Sequence, residues 1–351
     1  MNRITYIDIA KGIGIFLVIA GHLFRYDSYI SAVIFSFHIP LFFFLSGMVE
    51  HYQDIKFPEY LKKALRSCFV PWLLFALLGL FVSLLNLEWR LAFNTGKAIK
   101  CIYGMDTGLI HVSQIWFLIS LFYVKVFFWF FHRYVMKNGS IVLVMFLVIA
   151  ITIFQKLAVA GAELFLPYNR LPMQIDNAFT GLVFYIGGFI YNKYKGETSE
   201  WANRCIFFIC LLLILVSPYN THINVANIYL GEDDYLFYVF AISGIFLVIL
   251  LSKFIERSSC ALFRYILQYV GESSLYIFAV HSFGLQLWAC IISRYRQETI
   301  SCMGNMNNFD CLIGTIVVLV FSCFLCFLLQ NIQKSFYKRI GAVANIGRKR
   351  N

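Results

Sequence analysis

The composition of the chain is that of a membrane protein. It has 351 residues, of which 60% are hydrophobic and only 13% are charged, whereas soluble domains carry about 25% charged residues. The net charge of +11 would suggest a nucleic-acid partner in a soluble protein, but the sequence has no helix-turn-helix, zinc-finger or RNA-binding signature. We therefore exclude nucleic acid as a partner and attribute the excess of Lys and Arg to cytoplasmic loops.

Apolar stretches of membrane-spanning length recur along the chain and predict an all-α, polytopic membrane helical bundle. A helix needs about 20 residues to cross the hydrocarbon layer, and continuously apolar stretches are typical of helices, not of barrel strands. Because the sixth and seventh stretches are short, an arrangement with eight spans is the alternative. The ten predicted transmembrane helices cover residues 6–24, 30–50, 68–87, 114–131, 140–159, 177–192, 204–218, 235–252, 272–293 and 311–332.

The distribution of positive charge predicts the orientation of these helices. With the N-terminus inside, the cytoplasmic segments hold 19 Lys and Arg residues and the outer segments hold 8, and cytoplasmic loops are the ones enriched in these residues. We therefore expect both termini in the cytoplasm. The first span contains Asp8 and Lys11 and lacks a small-residue cleavage site, so we expect no cleaved signal peptide. The predicted domains are a membrane domain over residues 1–332 and a basic cytoplasmic tail over 333–351.

Two polar side chains lie on one face of the first predicted span. Lys11 and His22 are 11 residues apart, which at 100° per residue is three turns plus 20° and a separation of about 16 Å along the helix axis. Ionisable residues inside a span are candidates for a functional site. The structural alternative is a lysine that snorkels to the inner surface and a histidine at the outer interface.

Two further histidines lie in predicted spans. His38 is at the outer end of the second span, at the same membrane level as His22, and Pro40 interrupts the helical hydrogen bonds beside it. His281 falls near the middle of the ninth span. The alternatives are an interfacial histidine for His38 and a structural, hydrogen-bonded histidine for His281.

Basic residues near the inner face have several interpretations. Lys62, Lys63 and Arg66 form a cluster just before the third span, and we call them the basic cluster. They are suited either to binding phosphate groups or to ordinary attraction to anionic lipid. Lys125, in the inner half of the fourth span, could neutralise a carboxylate, bind an anion or snorkel to the surface.

Five short elements occur in an order known from one enzyme family. Each is weak alone, but together they cover residues 6 to about 290 of a chain with ten predicted spans. They are Lys11-x10-His22, Phe43-Phe44-Leu45-Ser46-Gly47, Lys63-Ala64-Leu65-Arg66 followed by Pro71, Trp116-Phe117-Leu118, and Ser274-Leu275 leading to His281. In these elements the chain resembles the acyltransferase 3 family of integral membrane O-acyltransferases, and within it the branch of sugar O-acetylases and polysaccharide-modifying enzymes.

The resemblance implies transfer of an acyl group from cytoplasmic acyl-CoA to a hydroxyl group of a carbohydrate or polysaccharide. Acetyl-CoA is the expected donor, with succinyl as the alternative acyl group, and the cell membrane, such as a bacterial inner membrane, is the expected location. Many members carry a further catalytic domain after the last span, whereas here we expect the membrane domain to act alone or with separate partners. Those partners are membrane lipids, glycan-assembly proteins or a second copy of the chain.

The resemblance also assigns roles to residues. His22 is the expected general base, because the unperturbed pKa of histidine is near 6.5; an acyl-enzyme on His22 is the alternative. The basic cluster Lys62, Lys63 and Arg66 would bind the phosphates of acyl-CoA. We expect no metal, since the sequence has neither HExxH nor paired CxxC spacing. His38 would bind the acceptor or orient His22, and Lys11 would stabilise the donor or the polar path between the helices. Ser46, Trp116 or a backbone amide would stabilise the oxyanion. The remaining residues assigned to substrate binding are Lys11, His38, Ser46, Trp116 and His281.

Two other kinds of protein fit parts of the pattern. A glycan exporter or transporter also has many spans, glycines and intramembrane charges, but it moves its substrate unmodified and consumes no acyl-CoA. A non-catalytic subunit of a glycan-assembly complex would tolerate the loss of His22. Covalent modification of the glycan therefore separates the enzyme from the exporter, and the effect of losing His22 separates the enzyme from the non-catalytic subunit.

Overall fold

The computed structural model describes residues 4–50, 55–85, 113–137, 141–166, 170–194, 196 and 199–348. Within these ranges the chain folds into α-helices and short 3-10 helices, with two π-helical segments, Leu65–Phe69 and His132–Met136, and no β-strand. The α-helices are α1 Thr5–Gly21, α2 Tyr29–Phe35, α3 His38–Met48, α4 Phe57–Ala64, α5 Val70–Leu85, α6 Trp116–Phe131, α7 Ile141–Phe165, α8 Ile175–Tyr194, α9 Glu200–Val216, α10 Asp234–Arg257, α11 Ala261–Glu272, α12 Ser274–Arg296 and α13 Asn308–Arg348.

The predicted all-α, polytopic membrane fold is confirmed. Seven of the described helical segments are long and apolar enough to cross a membrane: Tyr29–Met48, Trp116–Met136, Val142–Phe165, Glu200–Tyr219, Asp234–Arg257, Ser274–Arg296 and Asn308–Asn331. The other three predicted spans coincide with α1, α5 and α8, so helices occur at all ten places. The count of ten spans and the position of both termini stay predictions. Three cations of the predicted outer segments, Arg90, Lys97 and Lys100, lie outside the described residues.

Helix α1 lies at the centre of the bundle and carries both polar residues of the first motif. It packs against α3, α10, α11, α12 and α13. The contact with α11 is a close approach of two backbones, because a Cβ atom at Gly12 would overlap the carbonyl oxygen of Leu267, and one at Gly271 would overlap that of Asp8. Small residues at such crossings let helices pack tightly inside a membrane. Gly12 therefore makes room for a helix and not for a ligand.

The second predicted span is broken where its histidine lies. Helix α2 ends at Phe35 and α3 begins at His38, with Phe37 outside helical geometry at φ −144° and ψ −15°. Pro40 has no N–H to donate to the carbonyl of Ser36, four residues earlier, so the helix is interrupted one turn before the proline, as expected. This interruption places His38, which is 3% exposed, at the start of a helix inside the bundle.

Helix α3 is fixed against α8 by a second close backbone contact, in which a Cβ at Gly47 would overlap the carbonyl oxygen of Tyr185. Just beyond α3, the carboxylate of Glu50 accepts hydrogen bonds from Lys125 Nζ, at 3.1 Å, and from the Tyr185 hydroxyl. The structure thus supports the first of the three interpretations of Lys125: it neutralises a carboxylate. Helices α7 and α9 lie at the periphery and expose most of their apolar side chains, as lipid-facing helices do.

Candidate active site

The first motif extends between two cavities. Lys11 lines one of them, and Val18 and His22 line the other. The seven- and eleven-residue spacings keep these side chains on one face of α1 over about 16 Å, so the predicted common face of Lys11 and His22 is confirmed. Following the predicted orientation, we call the cavity at Lys11 the inner cavity and the cavity at His22 the outer cavity.

The outer cavity has a volume of about 280 Å³ and contains two of the predicted histidines, His22 and His38, together with Trp116. His22 lies directly after the last residue of α1, which leaves its ring partly exposed to the cavity. Aromatic rings surround the pair: the centroid of Phe35 is 4.9 Å from that of His38 and 6.2 Å from that of His22. An imidazole within an apolar wall is held in place while its polar edge stays available to a substrate.

His281 lies behind His22 and lines neither cavity. It is 0% exposed, and its ring stacks on that of His22 with centroids 5.7 Å apart and planes 29° apart. Its Nδ1 is 2.8 Å from the carbonyl oxygen of Phe278, while its buried Nε2 has no hydrogen-bond partner among the described residues. His38 makes the same kind of bond, from Nδ1 to the carbonyl oxygen of Ile34 at 2.8 Å. Because a carbonyl only accepts, Nδ1 carries the proton in both rings and Nε2 carries the lone pair.

Part of the wall of the outer cavity is rich in amides. Ser282 Oγ donates to Gln114 Oε1 at 2.6 Å, which leaves the amide nitrogen of Gln114 as the donor that can serve a ligand. Amide groups offer both donors and acceptors, as a polyhydroxylated ligand requires. The amide side chains that line the cavity are Gln114, Gln174, Asn224 and Asn227.

A buried arginine holds this amide wall together. Arg170 donates from Nε and Nη2 to the two carboxylate oxygens of Asp176, both at 3.0 Å, from Nη1 to the carbonyl oxygen of Ala226 at 2.7 Å, and from Nη2 to Gln174 Oε1 at 3.0 Å. Gln174 and the preceding Met173 have φ values of 61° and 58°. Such left-handed backbone costs about 1–3 kcal/mol at a non-glycine residue and persists where surrounding contacts hold it, often beside a ligand site.

The inner cavity has a volume of about 150 Å³ and contains Lys11 and Ser46, two further predicted residues. Lys11 Nζ lies 3.3 Å from the carboxylate of Asp8. Ser46 Oγ donates to the carbonyl oxygen of Phe42 at 2.7 Å, so its proton is already engaged. Ser67 and Ser274 line the same cavity, and Ser274 belongs to the motif that leads to His281.

The basic cluster lies beside the inner cavity but does not line it. Lys62 and Lys63 occupy the last turn of α4, and Arg66 is in the π-helical segment Leu65–Phe69. All three side chains are exposed and form no ion pair with a described residue. Ser67, next to Arg66 in the chain, does line the cavity, and π-helical segments occur frequently at functional sites. The described residues hold no group of three or more metal-ligating side chains.

Four of the five motifs thus contribute residues to the two cavities, and the remaining motif, with the basic cluster, lies next to Ser67 of the inner cavity. A model of the acyltransferase 3 family, described as an acyltransferase domain, matches residues 4–330. The chain belongs to the acyltransferase 3 family. This membership, with the membrane-spanning helices, makes the protein a membrane acyltransferase. Searches of curated proteins and of solved structures return no match.

For this acyltransferase, the structure adds residues that sequence reasoning missed. Arg170 counts in the sequence only as a charge in a predicted outer segment, and Gln174, Asn224 and Asn227 lie in connecting segments without any periodic pattern. An arginine followed six residues later by an aspartate is the one sequence signal that points to this wall, and such a spacing is too common to be decisive. Phe278, which lines both cavities, lies in the last motif between Leu275 and His281.

Proposed function

We propose that this membrane acyltransferase moves an acyl group from cytoplasmic acyl-CoA to a hydroxyl group of a carbohydrate or polysaccharide. Acetyl is the acyl group that we propose. The observation that supports this most strongly is the pair of abutting cavities. Two histidines and an amide wall line the outer one, a lysine and serines line the inner one, and Phe278 lines both. A donor and an acceptor that approach from opposite faces of a membrane need this arrangement.

His22 is the proposed general base. A sugar hydroxyl is a weak nucleophile at neutral pH, and removal of its proton as the new bond forms is worth about 10²–10⁴-fold in rate. The hydroxyl oxygen forms a bond to the thioester carbon, the C–S bond breaks, and the proton held by His22 passes to the departing CoA thiolate. His22 suits this role because its ring faces the outer cavity and has no hydrogen bond to a described residue that would occupy its nitrogens.

The other two histidines have distinct proposed roles. His38 shares the outer cavity with His22 and keeps an Nε2 lone pair, so it can accept a hydrogen bond from the acceptor. His281 is buried and is stacked on His22, so it positions the base and does not bind substrate from the cavity. This assignment narrows the role expected for His281 from the sequence.

The oxyanion of the tetrahedral intermediate requires a hydrogen-bond donor. Ser46 lies in the inner cavity and already donates its proton to Phe42. Trp116 lies in the outer cavity with His22, and an indole N–H is a donor only. Of the two side chains considered for this role, Trp116 is therefore the one we propose, and the amide nitrogen of Gln114 is a second donor at the same cavity.

On the donor side, Lys11 and the basic cluster are proposed to bind acyl-CoA. The exposed charges of Lys62, Lys63 and Arg66 suit the phosphates of CoA, which stay in water. The thioester arm would enter past Ser67 to Lys11, whose ammonium group is held 3.3 Å from Asp8. Membrane lipids surround the bundle, and glycan-assembly proteins or a second copy remain proposed partners.

The test is transfer of label in liposomes. The parent protein and its His22→Gln variant are reconstituted separately with acetyl-CoA labelled in the acetyl group and a glycan extract from the host cell. The matched control is His132→Gln, because His132 lies in a π-helical segment and lines neither cavity. Transfer by the parent and the control, with a loss of at least about 10²-fold in His22→Gln, is expected.

Other outcomes are equally informative. Undiminished transfer by His22→Gln would keep the enzyme and remove His22 as the base. No labelled glycan from any form, together with passage of unmodified glycan across the bilayer, would replace the proposal with an exporter.

A further inference from the structure

The inner and outer cavities share a lining side chain, that of Phe278. Among the described residues that line the inner cavity, only Phe278 also lines the outer one. Phe278 is 7% exposed and borders both the inner cavity of Lys11 and the outer cavity of His22. Under the proposed function, the acyl carbon has to meet the acceptor at this ring.

The ring of Phe278 is held in place by aromatic neighbours on both sides. Its centroid is 5.7 Å from that of Phe117, with the planes 66° apart, and 5.9 Å from that of His281. Phe117 is in turn 4.7 Å from Phe43 and lines the inner cavity. Protein interiors of this kind are closely packed and respond to a change of even one methylene group. The division between the cavities is therefore a packed wall and not a loosely placed ring.

Helix α12 connects this wall to the rest of the site. Ser274 and Leu275 face the inner cavity, Phe278 follows one turn later, and His281 follows after about one further turn, which places the four residues on one helix face. The carbonyl oxygen of Phe278 accepts the hydrogen bond of His281 Nδ1. Because that contact comes from the backbone, the side chain of Phe278 can be changed without removing it.

We propose that Phe278 is a specificity-determining residue that sets the length of the acyl group. The inference rests on the proposed function and deepens it. The ring closes the end of the inner cavity that borders the outer cavity, opposite the entrance of the donor, so short acyl groups place their carbonyl carbon within reach of His22. Longer chains collide with the wall of Phe278 and Phe117. The ring of Phe278 also keeps water in the outer cavity away from the thioester until an acceptor displaces that water.

The experiment compares acyl-CoA donors of increasing length. kcat/KM is measured for acetyl-, butyryl- and hexanoyl-CoA with the parent, Phe278→Ala and Phe278→Leu. Each methylene that a pocket accepts or rejects changes kcat/KM by about 10–200-fold. We expect Phe278→Ala to raise the butyryl-to-acetyl ratio at least about tenfold, and Phe278→Leu to shift it less in the same direction. Phe246→Ala is the matched control, because this ring packs against Phe44 and Tyr191 and lines neither cavity.

A second measurement needs no acceptor. Hydrolysis of acetyl-CoA adds the oxygen of water to the thioester carbon, breaks the C–S bond and yields acetate and the CoA thiol. We expect Phe278→Ala to hydrolyse acetyl-CoA faster than the parent, since the merged cavities admit water. Should Phe278→Ala fail to fold, Phe278→Leu carries both measurements.

The outcomes separate this inference from the proposed function. If the parent transfers acetyl groups but the Phe278 variants keep its chain-length ratio and its rate of hydrolysis, the inference is overturned and the function stands. If no form transfers an acyl group from any of the donors, the proposed function is overturned and the inference falls with it.

Discussion

His22 and His281 form one stacked pair in the centre of the bundle, with ring centroids 5.7 Å apart and planes 29° apart. The first residue ends the first motif of the family and the second ends the last motif. His281 is fixed by its bond to the Phe278 carbonyl, while its buried Nε2 has no partner among the described residues. An unpaired buried polar atom costs about 1–3 kcal/mol, which makes His281 a residue whose proposed positioning role can be tested directly.

The first prediction concerns this pair. We expect His281→Leu to lower kcat about 10²-fold, because a small displacement of a catalytic group costs that much in rate, while KM for acetyl-CoA stays within about twofold of the parent value because the donor binds in the inner cavity. His281→Asn should recover part of the loss, since its side-chain amide can donate to the Phe278 carbonyl in place of Nδ1. Steady-state kinetics in liposomes measures both values.

A purely structural role for His281 gives a different pattern. In that case His281→Leu would lower the amount of folded protein and leave kcat per folded molecule unchanged. Size-exclusion chromatography in detergent, run on the same preparations, supplies the folded amount.

The second prediction concerns the buried pair of Arg170 and Asp176. Arg170→Ala leaves a carboxylate that is 1% exposed without its partner, and breaking a buried ion pair costs about 3–5 kcal/mol. We expect a lower unfolding temperature and a higher KM for the acceptor, because the same guanidinium holds Gln174 and the Ala226 carbonyl in the cavity wall. Arg170→Lys should be intermediate in both, since lysine lacks the planar fork.

Arg25 offers a matched control for this prediction. Its Nη2 lies 2.8 Å from an oxygen of Asp27, also near the outer face, but both side chains are exposed, at 57% and 62%. Water screens such a pair, so Arg25→Ala should leave the unfolding temperature unchanged. An equal loss in both variants would show that Arg170 acts only as a surface charge.

Much of the fold could be predicted from the sequence because hydropathy and helical periodicity are local signals. The span predicted over 6–24 is helix α1, Thr5–Gly21, and the break that Pro40 imposes lies where the missing N–H places it. The common face of Lys11 and His22 follows from the same geometry. These properties depend on neighbouring residues within one helix, so no knowledge of the packing is required.

The rest of the site depends on packing between distant segments. Gln174 ends the short 3-10 helix Pro172–Gln174, and Asn224 directly precedes the 3-10 helix Val225–Asn227. Nothing in the sequence of these two connecting segments indicates that both line the cavity of His22. Phe278 is one of 38 phenylalanines, and only the packed structure shows that it lines two cavities. The basic cluster is the opposite case: its position on a helix was predictable, but the phosphates that it is proposed to bind are not part of the structure, so its role stays a prediction.

The third prediction tests that role. We expect Lys62→Glu combined with Arg66→Glu to raise KM for acetyl-CoA by at least about tenfold at low salt, with less effect at 0.5 M salt, because exposed charges are screened within a few ångströms at high ionic strength. Acetyl-dephospho-CoA, which lacks the 3′-phosphate, should bind the parent more weakly than acetyl-CoA does. The difference in KM between the parent and the variant should be smaller for this donor than for acetyl-CoA. Arg257→Glu is the control, as Arg257 is exposed at the end of α10 and is also predicted to be cytoplasmic.

Equal KM values for the variant and the parent would show that the basic cluster does not bind acyl-CoA and belongs to the ordinary positive charge of cytoplasmic segments. Binding of the parent to vesicles of anionic lipid would then be the property that the variant loses.

The fourth prediction tests the orientation through two cysteines in loops on opposite faces. Cys260 is exposed between α10 and α11, on the predicted cytoplasmic side, and Cys302 lies between α12 and α13, on the predicted outer side. We test a variant in which Cys260 is the one remaining cysteine. In inside-out vesicles a membrane-impermeant maleimide should label this variant, and in right-side-out vesicles it should not. Labelling of Cys260 from the outside would reverse the orientation derived from the positive charges.

Cys302 should differ from Cys260 in its dependence on pH. Burial raises the pKa of the Cys302 thiol to about 11, and the thiolate is the form that reacts. Below that pKa the thiol is mostly protonated, so labelling of a Cys302-only variant in right-side-out vesicles should be slow at pH 7 and should rise about tenfold per pH unit up to pH 9. A Cys302 labelling rate that is already fast at pH 7 would show that the loop opens far enough to expose the thiol to water. The loop also carries Met303, which lines the outer cavity, so such opening would give the acceptor a route to His22 from the outer face.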